Sequence, residues 1–564
     1  MKAIYKIQIN IILVAMMLLL GSCANDITQG GTGTDSGSET LKIAFNIAQP
    51  KTVDDGNAVK ATRSMTTAQE SVVNSISIVV FNTTGDKVGE CYSTFSSAKT
   101  TTFYASVPVA VANSYKVYAV ANASSTAIAS MKAATTLTAF NAISETLSSA
   151  DDLNSATSLV MFGKGTATLG NSNGVGSTTS ISLSRLAAKI TLNLTSSNNF
   201  TITSYQVCHT AMSSFASSDN GTAYVSGTNY NPLNTYKNQT VVRNLSTTSI
   251  SPVVYMYENL SGSSSMSTAP ALRNSTNAPS TAVFLLIHAQ SSSTGLAYEY
   301  RYYLGGASSS DFTNYNIQRN INYTYNININ GGDVADSRVT NIPKPGDYLY
   351  STGKWGTTTS GGTVIGIISS NVVSDAEYAK GYTHGCALAL NDASVKTTFR
   401  TSDTEALLPK VTTIAGQFND IFSGYYGTHN LNYGATTEFL AWKFAREYNV
   451  NVTGFTNSGW YLPSIGQWWD VCANLGGMNL SSLQALTTTS SSLALCLNST
   501  ATTNANNKIV AAGGSFFTNG NWYWSASEYD EKNMLIFSFL TNYSGISINN
   551  MTFDGYGVRS FITF

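Results

Sequence analysis

The stretch Leu41-Lys42-Ile43-Ala44-Phe45-Asn46-Ile47 alternates large apolar side chains with polar or small ones. Successive side chains of a β-strand point to opposite faces, so a period of two predicts a ribbon with one apolar face. That face consists of Leu41, Ile43, Phe45 and Ile47. The segment therefore predicts a β-strand that packs four apolar side chains into a core.

The same texture continues outward from this strand to about residue 340. A second alternating run, which contains Ile76, Ile78 and Val80, ends in the sequence Asn-Thr-Thr-Gly-Asp at 82–86, whose glycine suits a positive φ. Residues 124–149 are rich in Ala, Ser and Thr and favour one or two short helices at most. Further strands are predicted at 115–121, 181–194, 282–289 and 321–329. This part of the chain predicts β-sandwich architecture.

The C-terminal third has a different character, because tryptophan becomes frequent beyond Pro343 and Pro345. Apolar residues between 440 and 445 recur at helical spacing. Ser464 is followed three residues later by Gln467, which predicts a capping box at a helix start, and glycines at 476 and 477 predict its end. The third part therefore predicts an α+β domain.

Composition limits the classes of function. A chain of 564 residues exceeds what one hydrophobic core organises, so several domains are expected. Only 11% of residues are charged and the net charge is −1, so there is no basic field for nucleic acid and no acidic field for a cationic partner. An apolar content of 43% is enough to build packed cores and argues against a disordered chain.

The N-terminus predicts export. Lys2 and Lys6 precede an apolar run from 11 to 20, which is the pattern of a signal peptide. The sequence Leu20-Gly21-Ser22-Cys23 resembles the lipobox of bacterial lipoproteins, which implies cleavage after residue 22 and acylation of Cys23. The alternative is an ordinary signal peptide with an incidental cysteine. Residues 24–40 are rich in Gly, Ser and Thr and predict a flexible tether.

Neither cysteine nor histidine spacing points to chemistry. Without Cys23, five widely spaced cysteines remain, which excludes a dense disulfide framework. Cys472 and Cys496 are the one pair suggested by proximity, and we expect most of the five to be small buried apolar residues. The four histidines form no metal-spaced pair. His288 is interpreted as a core or strand-edge residue, and His384 as a fold residue with ligand contact as the lesser alternative.

The sequence also lacks a nucleophile elbow, a glycine-rich phosphate loop and a zinc-protease motif. We therefore predict no enzyme activity, no catalytic residue, no metal site and no cofactor.

Five blocks in the first 340 residues resemble the fimbrillin families of Bacteroidales, the subunits of type V pili. The blocks lie, in the order of the family, at 115–122 (Tyr-Lys-Val-Tyr-Ala-Val-Ala-Asn), 161–163 (Met-Phe-Gly), 185–190 (Arg-Leu-Ala-Ala-Lys-Ile), 255–259 (Tyr-Met-Tyr-Glu-Asn) and 316–323 (Asn-Ile-Gln-Arg-Asn-Ile-Asn-Tyr). The resemblance implies a mainly β protein with two tandem transthyretin-like β-sandwiches, at 41–182 and 183–340.

Residues 341–564 are expected to form a head domain, because 346–564 resemble the C-type-lectin-like domains that follow fimbrillin modules in some pilus tip proteins. This fold is shared with formylglycine-generating enzymes. The matching segments lie at 346–350, 384–390, 459–464, 523–528 and 558–559. The calcium-binding motifs of sugar-binding lectins are missing, since the tryptophan segment reads Trp524-Ser525-Ala526, and the reactive cysteine pair of the oxidases is missing too. Both departures put those activities in doubt.

The fimbrillin resemblance also implies a route of assembly. In that family the first strand is cut away after an arginine, and another subunit's strand fills the vacated groove. Here this implies cleavage at Arg63 and removal of the strand with Leu41, Ile43, Phe45 and Ile47 as an apolar edge. Because first and last strands pair in lectin-like folds, 348–350 would lie near 558–564. The C-terminal segment would then be unavailable for donation, which predicts a tip subunit.

The predicted partners are other fimbrial subunits and an extracellular glycan or protein that binds the head. We place the candidate ligand surface within 415–435 and 515–556, around Tyr425, Tyr426, Trp522 and Tyr523. The precursor is expected as an outer-membrane lipoprotein and the mature form in a fimbrium at the cell surface. Two alternatives stay open: a cell-anchored glycan-capture lipoprotein that keeps the lipid on Cys23 and never polymerises, and a head-domain enzyme.

Overall fold

The computed structural model describes residues 38–54, 65, 67–110, 114–168, 179–197, 199–217, 235–306, 311–402, 407–480, 493–497, 500–517, 521–540 and 543–564. The predicted signal peptide with Cys23, nearly all of the predicted tether and the predicted cut at Arg63 lie outside these residues. The described part of the chain is mainly β and forms three units, which we call module 1, module 2 and the head.

Module 1 (residues 38–47 and 67–185) is a β-barrel. Its strands close in the order β1-β5-β4-β3-β6-β8-β9. The elements of this region are β1 (Ser38–Ile47), β2 (Lys51–Asp54), α1 (Thr67–Glu70), β3 (Val73–Phe81), β4 (Lys87–Lys99), β5 (Phe103–Ala110), β6 (Tyr115–Ala121), α2 (Ser125–Ala133), α3 (Leu137–Asn141), β7 (Ser144–Thr146), β8 (Met161–Ala167) and β9 (Thr179–Arg185). Module 1 is thus not the expected sandwich of two separate sheets, because β1 pairs with both β5 and β9 and closes the strands into one continuous wall.

Module 2 (residues 51–54 and 187–342) is a sandwich of two main sheets. One sheet contains β15, β10, β21 and β2, with β16 also paired to β10, and the other has the order β11-β18-β19-β22. The strands are β10 (Ala187–Ser196), β11 (Phe200–Cys208), β12 (Thr210–Ala211), β13 (Ser213–Phe215), β14 (Tyr236–Lys237), β15 (Ser249–Ile250), β16 (Val253–Tyr257), β17 (Asn259–Ser263), β18 (Phe284–Ser291), β19 (Ala297–Tyr303), β20 (Asn314–Ile317), β21 (Ile321–Ile329) and β22 (Val339–Ile342). β9 ends and β10 begins shortly beyond the predicted division at residue 182.

The head (residues 343–564) wraps helices around a nine-stranded sheet of order β24-β23-β25-β26-β31-β28-β29-β30-β27. Its elements are β23 (Tyr348–Tyr350), β24 (Trp355–Gly356), β25 (Val364–Ser370), α4 (Asp375–Tyr378), β26 (Cys386–Thr397), α5 (Ile414–Asn419), α6 (Ser423–His429), α7 (Leu440–Arg446), α8 (Ile465–Asp470), β27 (Leu495–Leu497), α9 (Ala501–Ala511), β28 (Trp522–Asp530), β29 (Asn533–Phe539), β30 (Tyr543–Asn550) and β31 (Tyr556–Thr563). Most of the helices lie between β26 and β28 in the chain, and every strand pair of the sheet except β28 with β31 is antiparallel, which is an α+β arrangement.

Helix α8 forms where the sequence predicts it. The Ser464 backbone N–H donates to the Gln467 Oε1 at 2.9 Å, which is the reciprocal half of a capping box. The chain continues from α8 into one wide π-helical turn, Val471–Leu475, and leaves it at Gly477, whose φ of +75° favours glycine. The predicted start of α8 is therefore confirmed, and the helical path ends at the predicted glycines after the π-helical turn.

The first and last strands of the head do not pair directly, contrary to expectation. β23 pairs with β25, and β31 pairs with β26, so two strands separate the first from the last. They still share a core, because Leu349, Ile562 and Phe564 belong to one buried cluster on the same side of the sheet. The C-terminal strand thus lies in the interior of the sheet and not at its edge.

Candidate functional site

Strand β1 is held on both sides. It runs antiparallel to β5 and parallel to β9, so it is an inner strand of the barrel wall and not the apolar edge that we predicted. Leu41, Ile43 and Phe45 are 0% exposed and Ile47 is part-buried. The Phe45 ring stacks on Phe103 with 5.2 Å between centroids. Removal of β1 would leave a slot with unpaired backbone groups on β5 and β9, and it would open the core of module 1 beneath that slot.

The N-terminal segment does not end with β1 but continues across the junction into module 2. The Ala48 N–H donates to the Leu183 carbonyl at 2.8 Å, and the Lys51 N–H donates to the Asn320 carbonyl at 3.3 Å. β2 then pairs in parallel with β21 of module 2. Residues 38–54 are thus one ribbon that completes both modules, and sequence analysis found only its first half. The signal in the second half is weak, since Thr52 and Val53 are its sole β-branched residues.

The chain after the predicted cut is anchored separately from this ribbon. Met65 is 8% exposed and packs in the cluster between modules 1 and 2. The buried Glu70 carboxylate accepts hydrogen bonds from Lys189 Nζ at 2.7 Å and from the Tyr255 hydroxyl at 2.8 Å. Arg185 Nε donates to the Glu70 carbonyl at 2.8 Å. Lys189 and Tyr255 thus tie α1 to module 2, and Arg185 ties it to the end of β9 in module 1. None of these three partners belongs to β1 or β2, although Arg185 Nη1 also donates to the Ala48 carbonyl of the ribbon at 3.1 Å.

Hydrogen bonds to buried polar groups hold the C-terminal strand β31 in the head. The Thr563 hydroxyl donates to the Glu377 carboxylate at 2.6 Å and lies 2.8 Å from the Tyr461 hydroxyl. The His384 N–H donates to the carbonyl of the last residue, Phe564, at 2.7 Å. Arg559 is fully buried and its Nε donates to Asp392 at 2.6 Å. Extraction of β31 would leave several of these groups buried without partners, which is costly.

Burial raises the pKa of Glu377 above its ordinary value of 4.5, although hydrogen bonds from Ser374 and Thr563 oppose this. At pH values between the unfolded and the folded pKa, the Glu377 carboxyl therefore keeps a proton in the folded head that it releases in the unfolded chain. This contribution to stability is present at acidic pH and is lost as pH rises above about 4.5 through the folded pKa, with a slope of at most about 1.4 kcal/mol per pH unit.

We expect Glu377→Gln to remove this part of the pH dependence. Urea unfolding over a pH series that starts near 4.5 should show the wild type losing stability relative to the variant as pH rises through the folded pKa. Asp392 and Asp470 also have pKa values raised by burial, so the difference between the two proteins is the informative quantity. Glu447→Gln, at an exposed carboxylate, is the control. Parallel profiles for wild type and Glu377→Gln would contradict the assignment.

Module 2 and the head meet at a buried ion pair. Arg243 Nε donates to Asp470 Oδ1 at 2.8 Å, and the two side chains are 3% and 2% exposed. Arg243 Nη2 also donates to the carbonyls of Phe418 and Gly466, and Asn244 Nδ2 donates to Asp470 Oδ1 at 2.8 Å. The Arg243 side chain, from the loop between β14 and β15 of module 2, thus reaches into the head at the C-terminal end of α8. Sequence analysis did not find this pair.

Two of the four predicted ligand-surface aromatics lie in the core. Tyr425 is 6% exposed and Tyr523 is 0% exposed, and both belong to the main hydrophobic cluster of the head. They cannot present their rings to a ligand, which corrects the prediction for these two residues. Tyr426 is part-buried and stacks on Phe422 with 4.7 Å between centroids. Trp522 is also part-buried and lies at the rim of a second cluster.

The histidines and cysteines considered in the sequence analysis pack against neighbouring groups inside the protein. His384 packs between Trp355 and Phe564, at centroid distances of 5.1 and 5.9 Å, and burial lowers its pKa. His288 is 8% exposed and lies 3.2 Å from the Glu299 carboxylate. Four cysteines are buried, namely Cys91, Cys208, Cys386 and Cys472. The side chain of Cys496 lies outside the described residues, so its pairing with Cys472 stays a prediction.

No three His, Cys, Asp or Glu side chains within the described ranges are grouped so that they could hold a metal ion. No helix in the same part of the chain has the length and apolar character needed to cross a membrane.

Family models match two parts of the chain. Residues 40–234, which span module 1 and the start of module 2, match the major fimbrial subunit protein family. Residues 254–327 match a domain of unknown function. No curated protein matches the chain.

Among solved structures, a C-terminally truncated form of the tip fimbrial protein Mfa3 from Porphyromonas gingivalis is 16% identical and has a TM-score of 0.34, with 51% of this chain and 94% of that chain covered. A fimbrilin from Porphyromonas gingivalis is 12% identical with a TM-score of 0.32, and the match covers 53% and 95%. A fimbrial protein from Bacteroides ovatus is 12% identical with a TM-score of 0.27, over 93% and 99%. Similarity to a fimbrial subunit family is thus established for residues 40–234 of this chain.

Proposed function

We propose that this chain is the terminal subunit of a fimbrium, which accepts a strand from one neighbour, donates none, and uses its head for adhesion to an extracellular glycan or protein. The contrast between the two ends of the chain carries this proposal. β1 fills a slot between two strands that follow Arg63 in the sequence, whereas β31 is an inner strand of the head sheet. The family-model match over residues 40–234 supports the fimbrial assignment of module 1.

Strand replacement is favoured by the chemistry of the slot. A donated strand would regain hydrogen bonds to β5 and β9 and would refill the pockets of Leu41, Ile43 and Phe45. The pairing of β2 with β21 extends the slot into module 2, so the donor would have to cross the junction between the modules. A matching donor thus has apolar side chains at alternate positions in its first half.

The position of Arg63 fits this route, because the contacts of Met65 and Glu70 lie on its C-terminal side. Cleavage after Arg63 would release residues 38–54 and leave α1 bound to module 2. It would also separate the mature chain from the lipid on Cys23. We propose that the lipidated precursor reaches the outer membrane and that cleavage converts it to the fimbrial form at the cell surface, with no enzyme activity of its own.

The cleavage step is tested by Arg63→Ala, with Lys60→Ala as the matched control in the same segment. We expect purified fimbriae to contain a chain that starts at Ser64 in the wild type and in the control. The Arg63→Ala chain should keep its N-terminal segment and be absent from fimbriae. Terminal sequencing and mass spectrometry measure both results. Fimbriae that contain the intact segment before Arg63 would contradict the processing step.

The terminal position is tested by immunogold labelling of purified fimbriae with antibody to the head. We expect label at one end of each fimbrium. Uniform labelling along the shaft would contradict the terminal assignment. A chain that keeps its acyl group on the cell and is missing from fimbriae would instead favour the cell-anchored glycan-capture lipoprotein.

A further inference from the structure

Three neighbouring aromatic rings, those of Trp522, Tyr556 and Phe553, lie along the surface of the head. The Tyr556 ring centroid is 6.5 Å from that of Trp522 and 5.0 Å from that of Phe553. Phe553 is 46% exposed, and the other two are part-exposed. We call these three residues the aromatic strip. All three lie within the predicted surface range 515–556, but only Trp522 was named individually in the sequence analysis.

The strip is fixed from below. Tyr556 packs edge-on against the fully buried Trp524 with 5.0 Å between centroids, and Trp522 and Tyr556 both line the cluster that contains Trp524. The Asn549 side chain donates to the Tyr556 hydroxyl. The inner edges of the Trp522 and Tyr556 rings are therefore held by the core while their outer edges face solvent, which makes a preorganised surface.

The rim of the strip is polar and balanced in charge. Lys396 Nζ lies 3.8 Å from the Asp554 carboxylate, and these side chains are 60% and 63% exposed. Their pairing links the end of β26 to the turn that carries Phe553. Asn550 is exposed beside that turn. Amide, ammonium and carboxylate groups next to flat rings supply hydrogen bonds in both directions without net charge.

We infer that the aromatic strip binds a neutral oligosaccharide. The apolar C–H faces of sugar rings stack on aromatic rings, and their hydroxyl groups hydrogen-bond to amide and charged groups at the edge. This inference rests on the proposed function, since it assigns the class of ligand to the adhesive head. The balanced pair of Lys396 and Asp554 provides no net charge for a sialylated or sulfated glycan.

A protein partner fits the strip less well. An aromatic side chain buries about 150–250 Å², so three partly exposed rings offer much less apolar area than the roughly 800 Å² per partner of a standard protein interface. The interface between a sugar chain and a protein is narrow and needs few rings.

The test uses the full chain and immobilised probes. Lactose, N-acetyllactosamine, mannopentaose and cellopentaose are the neutral probes, and sialyllactose and a heparin hexasaccharide are the charged ones. We expect binding to at least one neutral probe, with affinity reduced roughly tenfold by Phe553→Ala and by Trp522→Ala. Tyr104→Ala, at a 58% exposed ring in module 1, should bind as the wild type does. Saturation-transfer NMR should place the sugar C–H protons against aromatic protons.

Binding of charged probes alone, or of no neutral probe at millimolar concentration, would overturn the inference. So would neutral binding that both strip variants retain while their thermal unfolding matches the wild type. The same variants are assayed for incorporation into fimbriae, which we expect to be unchanged. Loss of incorporation would identify the strip as a protein contact and overturn the glycan assignment. A wild type that binds a neutral probe through the strip but is missing from fimbriae would refute the proposed assembly role alone.

Discussion

A chain that begins at Ser64 is expected to lose the stable fold of module 1. Removal of β1 takes away Leu41, Ile43 and Phe45, each 0% exposed. Burial of one such side chain contributes about 1.5–3 kcal/mol, so the loss is roughly 5–9 kcal/mol as an upper estimate. This is comparable to the whole stability of a typical domain, about 5–15 kcal/mol. Thermal unfolding and amide exchange of module 1 measure the effect.

A synthetic peptide with the sequence of residues 38–54 should restore the fold when it is added to this shortened chain. It can pair with β5 and β9 and refill the core, as a donated strand would. A control peptide with serine at 41, 43 and 45 keeps the backbone groups but lacks the apolar side chains, so we expect no rescue. If the shortened chain melts like the intact one without peptide, the slot model is wrong. If both peptides restore the fold of module 1 equally well, then strand binding in the slot does not depend on burial of the apolar side chains at 41, 43 and 45.

The Arg243→Ala variant is expected to have the second large effect. It leaves the Asp470 carboxylate, 2% exposed, without its cation. Removal of one partner from a buried ion pair costs about 3–5 kcal/mol, because the other charge stays buried and uncompensated. Asn244 still donates to Asp470 but cannot neutralise it. We expect a large drop in the urea midpoint of the head and increased amide exchange at α8.

Lys396→Ala is the matched control for this measurement, since it breaks an exposed pair with Asp554 in the same domain. Exposed pairs contribute about 0–1 kcal/mol, so its effect should be small. The double variant Arg243→Met with Asp470→Leu should recover much of the stability, because it removes both buried charges together. Equal losses in Arg243→Ala and Lys396→Ala would show that the seam between module 2 and the head does not depend on this pair.

Such a seam has a mechanical consequence for the proposed function. A head that binds a ligand at the end of a filament transmits tension to the module behind it. Besides the pair of Arg243 and Asp470, Asn474 Nδ2 of the head donates to Asn244 Oδ1 of module 2 at 3.3 Å, and it also donates to the Ser369 carbonyl within the head at 2.7 Å. Directional buried contacts of this kind favour one relative orientation of head and module over others.

Local sequence patterns predicted the elements better than their surroundings. The alternation at 41–47 predicted β1, and Ser464 with Gln467 predicted the start of α8. Neither pattern indicates what lies on each side of the element. The strand predicted as an edge is enclosed by β5 and β9, because neighbours in a barrel come from distant positions in the chain. The parallel pairing of β2 with β21 joins residues 51–54 to 321–324 and has no local signature.

The aromatic residues show the same limit. Trp522 and Tyr523 are adjacent in β28 and therefore point to opposite faces of the sheet. The alternation of side chains along a strand shows which residues share a face of the sheet. Both faces of this sheet are covered by hydrophobic clusters, so the exposure of a side chain depends on where each cluster ends. Tyr523 lies in the middle of one cluster, whereas Trp522 lies at the rim of the other. Phe553 comes from a turn, where no periodicity exists to be read.

The sequence by itself determined the mainly β character, the apolar strand at 41–47 and the start of α8, and it predicted the change of domain type near Pro343. These properties depend on residues close together in the chain, where side-chain periodicity and capping act directly. Only the tertiary structure decided that residues 38–54 complete two modules, that Arg243 meets Asp470 and that β31 is enclosed. Each of these three features brings together groups that are distant in the chain. Their contacts can stabilise the protein only after the cores that position these groups have formed.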